Sequence, residues 1–226
     1  MSKTIPLEPD HFYHIYNHSN GKDTIFISEN NYKYFLEKFK EYISPISETY
    51  AYCLMPNHFH FLIKLNSEAD VFKWLRENEK IADDSLNLTG FKNLSGSSIA
   101  GFNPFSAHIN RRFADFFNSY SKSLNKQESR MGSLFVRTFK RKQISSEEEL
   151  RNTIFYIHTN PIHHGFAERI TDWKYSSYQS LISEKPTQLK RSEVMALFDD
   201  IENFKFSHQK INKDLLQKLE LEMQNL

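Results

Sequence analysis

A chain of 226 residues with a net charge of +1 is long enough for one domain with appendages, and its 20 Phe, 11 Tyr and 2 Trp can fill a core. The single cysteine, Cys53, excludes an intrachain disulfide framework; set in an apolar run, it reads as a small buried hydrophobe. The opening MSKTIPLEPD lacks the apolar stretch of a signal peptide, and no run reaches transmembrane length, so a cytoplasmic protein with no membrane partner is expected.

His11 to Ser19 (HFYHIYNHS) alternates and is rich in aromatics, which predicts a strand closed by the turn Asn20-Gly21. Ser28 or Asn30 can cap a helix that runs to about Ser44, where Pro45 stops it. Tyr50 to Leu65 (YAYCLMPNHFHFLIKL) reads as two strands joined at Met55-Pro56-Asn57, since Pro presets φ and Asn tolerates tight backbone. In the second strand Phe59, Phe61, Ile63 and Leu65 share one face, which becomes the core side. His58, His60, Leu62 and Lys64 share the other. The two imidazoles stand about 7 Å apart along the strand and can turn toward one ion or phosphate. A solvated polar face fits His-x-His equally well. Since both histidines lie off the phenylalanine face, truncating them is expected to leave the core intact.

A helical pattern from Ser67 to Leu75 gives way to a long loop insertion over about 77–104, rich in Gly and Ser. Helical spacing resumes from Ser106 to about Leu124, with Ile109, Phe113, Phe116 and Phe117 on one stripe. Leu134 to Ile144 alternates as a strand. Ser145 or Ser146 then caps a helix whose first turn carries Glu147, Glu148 and Glu149. That helix is expected to end near Asn160, because Pro161 disfavours a helical residue before it. The first six elements make the ferredoxin-like split βαβ order, an α+β fold with an antiparallel sheet and helices on one face. Helical patterns at Ser192–Phe198 and Asn212–Met223 suggest a C-terminal helical extension. The division expected is a catalytic domain over 1–180 and an extension over 181–226.

Charge is unevenly distributed. Between Arg111 and Lys142 nine basic side chains face two acidic ones, a net +7, which leaves −6 for the rest of a chain totalling +1. Such a block is the footprint of phosphate binding or a solvated basic face. Its candidate DNA contacts are Arg111, Arg112, Arg130, Arg137, Lys140, Arg141 and Lys142, with His163 and His164 in the turn before Gly165 added as contacts or as a solvated turn. His158 reads as structural or phosphate-facing, and His14 and His18 carry no assignment.

Tyr156 and Asn160, four apart on a helix, lie on one face, so a phenol nucleophile and an amide oxygen can act together; a core aromatic is the alternative. Three separated segments, Tyr50–Leu65, GSLFVRTFKRK and YIHTNPIHHGF with DWKYSSY, together resemble the single-tyrosine HUH transposases, nearest their REP-associated branch. The resemblance spans His11 to about Tyr178. It implies that His58 and His60 are the paired catalytic histidines, that Tyr156 is the nucleophile, and that Asn160 joins His58 and His60 as a metal ligand. The ion implied is Mg²⁺ or Mn²⁺, with paired imidazoles favouring Mn²⁺. The implied reaction cleaves and rejoins single-stranded or hairpin DNA through a 5′-phosphotyrosine, with either a monomer or a homodimer as the working unit. A domesticated, non-cleaving binder of structured DNA or RNA is the alternative from another class, and a phosphodiesterase without a covalent intermediate is a third reading.

Overall fold

Period-two alternation yields four strands, β1 (Phe12–His18), β2 (Ser47–Met55), β3 (His58–Leu65) and β4 (Lys140–Ile144). They form an antiparallel sheet of order β2-β3-β1-β4. A computed structural model describes residues 5–21, 23–79, 103–209, 216, 217 and 221. The helices are α1 (Glu29–Tyr42), α2 (Glu68–Glu79), α3 (Pro104–Gln127), α4 (Glu147–His163), α5 (Tyr178–Ile182), α6 (Arg191–Leu197) and α7 (Ile201–Gln209). This is the α+β split βαβ arrangement, extended by C-terminal helices. Most of the expected loop insertion, residues 80–102, lies outside the described residues, as does most of the helical pattern at 212–223. Among the described residues no helix is long and apolar enough to cross a membrane.

Local chemistry sets the helix ends. Ser28 caps α1, and Asn31 Oδ1 accepts from the Ser28 and Ile27 amides at 2.9 and 3.1 Å. Asn103 caps α3, accepting from Ser106 N at 2.9 Å, and Pro104 occupies the first turn, where its missing N–H costs nothing. Ser146 caps α4 through Glu149 N.

Helices α1 and α3 cover one face of the sheet. Phe35 and Phe39 of α1 and Phe113, Phe116 and Phe117 of α3 pack on Phe59, Phe61 and Ile63 of β3. Phe39 and Phe61 stack at 4.0 Å between ring centroids. Each such ring contributes roughly 1.5–3 kcal/mol by leaving water, so this layer anchors the fold. The opposite face is buried as well. There β2 presents the small Ala51 and Cys53, α4 settles onto them, and Val194, Phe198 and Phe204 of the C-terminal helices close the layer. Burial raises the Cys53 thiol well above its ordinary range, consistent with a packing role.

Two boundaries differ from the sequence expectation. The strand expected over Leu134–Ile144 is interrupted: Phe135 bridges Ser19, residues 137–139 leave the ladder, and pairing with β1 resumes only at Lys140. Asn17 sits opposite the gap, with its Nδ2 donating to Val136 O at 3.2 Å. Helix α4 does not end at Asn160 but carries Pro161 inside its last turn. The proline forfeits one backbone hydrogen bond, while its own carbonyl accepts from Phe166 N and Ala167 N at 2.7 and 3.2 Å. Residues Thr153 to Pro161 are all buried, and that packing outweighs the local preference.

Candidate active site

The β1–β3 register puts His18 opposite His58 and Tyr16 opposite His60, on the sheet face beneath α4. Two strand residues advance about 6.6 Å and four helical residues about 6 Å, so a pair at i, i+2 on a strand can meet a pair at i, i+4 on a helix. That match is realised here. The Tyr156 ring meets the His60 ring edge-on with centroids 5.5 Å apart, and one turn later Asn160 Oδ1 lies 3.1 Å from His58 Nε2. The four residues picked out by motif thus come together across two elements about 100 residues apart in sequence.

Burial defines their electrostatics. It pushes His58 down to about 4 and His14 to about 3, and holds His60 well below its ordinary value, so these imidazoles are neutral at neutral pH. His60 Nδ1 shares a proton with His14 Nε2 at 2.9 Å. When His60 donates in that contact, its Nε2 keeps a lone pair for a ligand role. His58 faces an amide oxygen at each nitrogen, Asn57 Oδ1 at 2.7 Å from Nδ1 and Asn160 Oδ1 at 3.1 Å from Nε2. A neutral imidazole carries one N–H and can donate to only one of them. The buried Asn160 Nδ2 has no hydrogen-bond partner among the described residues. Turning the amide over would let it donate to His58; in the orientation present the oxygen can accept from a protonated Nε2, or share a cation with Nε2 when the proton sits on Nδ1. No three His, Cys, Asp or Glu side chains group where they could hold a metal ion among the described residues, and the oxygens beside the histidine pair include the amide oxygens of Asn57 and Asn160.

His58, His60 and Tyr156 bound a cleft of about 470 Å³ that Asn57, Tyr16, His18, Lys140, His164 and Phe166 also line; Asn160 is fully buried and is not among its lining residues. A larger cavity of about 770 Å³ lies between α1 and residues 187–190 and is lined by none of His58, His60, Tyr156 and Asn160. We assign the chemistry to the smaller cleft, because size alone supplies no nucleophile or ligand.

The candidate DNA contacts disperse. Lys140 lines the cleft, and His164 lies at its rim with its ring 4.8 Å from His58; His163 is beside it. Arg137 is exposed, and Arg111 is exposed beside Asp115 at 3.8 Å. Arg130 pairs with Asp23 and donates to Asn125 Oδ1 at 2.8 Å, and Lys142 pairs with Glu149 at 3.4 Å. Two members of the set are interior, which removes them as surface contacts. Arg112 lies between Trp74 and Tyr42 and donates to the carbonyls of Tyr42 and Glu41, capping the C-terminus of α1. Arg141 is 9% exposed and donates to Asn110 Oδ1 at 2.7 Å.

Sequence reasoning missed His14, Tyr16, Phe166 and a buried relay behind the tyrosine. In that relay Ser177 Oγ accepts from Tyr52 N and lies 2.8 Å from His158 Nε2, His158 Nδ1 lies 2.9 Å from His208 Nε2, and His208 Nδ1 donates to Phe204 O. It joins β2, α4, the N-cap of α5 and α7, so four separated stretches of sequence are tied together two residues from Tyr156. His158 is structural.

Acid should dismantle this arrangement. The folded values of His14, His58 and His208 are depressed to about 3, 4 and 4. The unfolded chain therefore takes up protons below about 6.5 that the folded one refuses, and stability falls as pH drops from there toward 4. Each histidine contributes about 1.4 kcal/mol per pH unit, or roughly 4 for the three. Urea unfolding at pH 7, 6 and 5 checks this, with a flat profile as the contrary result.

No protein-family model matches the chain. A curated relative from Haemophilus influenzae, named "Putative REP-associated tyrosine transposase", is 25% identical over 131 residues, 58% of this chain and 58% of that relative. The chain therefore spans less than two thirds of the relative's length. Among solved structures, a REP-associated tyrosine transposase bound to a REP hairpin superposes with a TM-score of 0.54 at 12% identity, covering 82% of this chain and 88% of that one. The resemblance read from the motifs thus holds in sequence with the first relative and in fold with the second.

Proposed function

We propose, from this likeness to the REP-associated tyrosine transposases, that the chain cleaves and rejoins single-stranded or hairpin DNA through a phosphotyrosine. The observation that carries the reading is the placement of Tyr156 and Asn160 over His60 and His58. Tyr156 Oη attacks the scissile phosphorus and loses its proton as the new P–O bond forms. The 3′ oxygen departs and is protonated to a free 3′-OH, and the DNA 5′ phosphate stays on the tyrosine. Attack by a 3′-OH on that ester reverses the step and joins strands. His58, His60 and Asn160 would hold Mg²⁺ or Mn²⁺, which when bound supplies Lewis-acid polarisation of the phosphodiester. The His14–His60 contact orients the ligand ring, and the depressed histidine values keep each ring neutral, with one lone-pair nitrogen. Phe166, 39% exposed at the cleft, offers a ring on which a base can stack.

Incubating the full chain with hairpin DNA carrying single-stranded flanks and Mn²⁺, followed by denaturing electrophoresis, tests the proposal. A protein–DNA adduct supports it. Binding without an adduct would favour the non-cleaving binder.

The cations along the β4 edge make a second test. Changing Arg137 and Lys140 together to Gln should flatten the log–log salt dependence of single-strand binding by about 1.4, at about 0.7 per phosphate contact. Arg141 is unsuitable for this purpose, since neutralising it would strand Asn110. An unchanged slope would make these residues a solvated face.

A further inference from the structure

Every residue of α4 from Thr153 to Pro161 is buried, so this part of the helix has no exposed side to decide how it is turned about its axis. Rotation nonetheless decides the site, because Tyr156 and Asn160 must face His60 and His58 together. On the far side of α4, His158 is fully buried among the rings of Tyr178 and Phe204. Apolar contacts of that kind are non-directional. The hydrogen bonds of His158 are directional. Burial keeps both His158 and His208 neutral. His208 Nδ1 faces the Phe204 carbonyl at 2.7 Å and must carry the proton of its ring, so His208 Nε2 is a lone pair. His158 Nδ1, 2.9 Å away, must then donate, which leaves His158 Nε2 to accept from Ser177 Oγ at 2.8 Å. Ser177 Oγ in turn accepts from Tyr52 N at 2.9 Å, and Ser177 N donates to Tyr52 O at 2.9 Å. Each proton of the relay has one place.

We propose, resting on the DNA-processing reading above, that the Ser177–His158–His208 relay is a register pin: it fixes the rotation of α4 and so holds Tyr156 and Asn160 over His60 and His58. His158 and His208 are then positioning residues for the tyrosine step. Two observations carry this. First, the relay is anchored in the sheet that carries the paired histidines. Tyr52 precedes Cys53, which pairs across the strands with His60. A turn of α4 that moved Tyr156 off His60 would therefore also move His158 off Ser177. Second, a buried polar link is weak evidence for stability, and its best-attested use is to select one register among packings that apolar contacts would accept. Since His208 stands on α7, the C-terminal extension belongs to the catalytic unit.

The test compares the full wild-type chain with His208→Gln, His208→Asn and the double variant His158→Leu/His208→Leu. A Gln side chain brings its amide oxygen near the place of His208 Nε2 and can accept from His158; Asn is one methylene short. The double variant keeps apolar volume and strands neither imidazole, so thermal melting should find it folded. Two readouts are taken: nuclear Overhauser effects between the Tyr156 and His60 ring protons in the DNA-free protein, and single-turnover adduct formation with hairpin DNA and Mn²⁺. His208→Gln should keep the ring–ring signals of wild type and most of its rate. His208→Asn and the double variant should lose the signals. Their adduct rate at saturating DNA should fall about 100-fold, as a misplacement of about 1 Å can cost, while half-saturating DNA stays within about twofold of wild type. A merely structural relay would change melting temperature and leave the ring–ring signals and saturated rate of the folded variants unchanged, and that result overturns the pin. So does His208→Gln behaving like His208→Asn, the comparison that decides if the double variant fails to fold. If wild type forms no adduct, the functional reading falls, and the ring–ring signals alone decide the pin.

Discussion

Tyr156→Phe should form no denaturation-resistant DNA adduct while its hairpin affinity stays within a few-fold of wild type. Tyr156 is 3% exposed and its ring lies edge-on to His60 and to His14, so its packing is needed and Phe preserves it. Only the hydroxyl is lost. Removing a nucleophile removes the covalent step outright, whereas a surface contact would be felt mainly in affinity. Normal adduct yield in the variant would dismiss Tyr156, and the structure names where to look next. Tyr120 is excluded, because its hydroxyl donates to Ile25 O at 2.6 Å within the opposite core layer. Tyr16 is the replacement, since it stacks on His60 at 5.6 Å and lines the cleft. Burial raises the Tyr16 phenol to about 12, which disfavours its phenolate, and Tyr16 has no amide partner one helical turn away as Tyr156 has in Asn160. Tyr16→Phe should therefore retain the adduct.

Half of this site was legible in the amino-acid sequence. Period two on β3 puts His58 and His60 on one face and one helical turn aligns Tyr156 with Asn160, but each pattern alone left a bland alternative, and the resemblance to the HUH transposases implied their roles. Both are local periodicities, carried within a few residues of sequence. His14 and Tyr16 belong to the same site, yet their membership depends on the β1–β3 register, which pairs residues more than 40 apart. No local pattern encodes that register. The basic block shows the converse failure. Counting charges located nine cations but could not tell Arg112, which caps α1, from Arg137, which is exposed. The two boundary differences have one cause. Alternation across Leu134–Ile144 and proline at 161 are local signals, and each lost to tertiary contacts, the Asn17–Val136 bond in one case and the burial of Thr153–Pro161 in the other.

His58→Ala should lose metal-dependent cleavage by about 100-fold or more, a floor set by what even indirect partners of metal ligands cost. It should remain folded, since the ring is only partly buried and lines the cleft, so its removal widens the cleft instead of leaving an enclosed cavity. His60→Ala should lose cleavage too, but for a mixed reason. The expectation that truncating either histidine spares the core does not hold, because α4 buries the histidine face and leaves His60 4% exposed. Its ring fills the space between Tyr16 and Tyr156, so deleting it leaves a cavity costing on the order of 2–5 kcal/mol. It also strips the buried His14 Nε2 of its partner, a further penalty of about 1–3 kcal/mol. Against a typical total of about 5–15 kcal/mol, that loss is large enough to confuse unfolding with ligand removal. His58→Ala is thus the decisive variant. Calorimetry should find its Mn²⁺ affinity reduced together with cleavage, and unchanged Mn²⁺ binding by the folded variant would strike His58 from the ligand set.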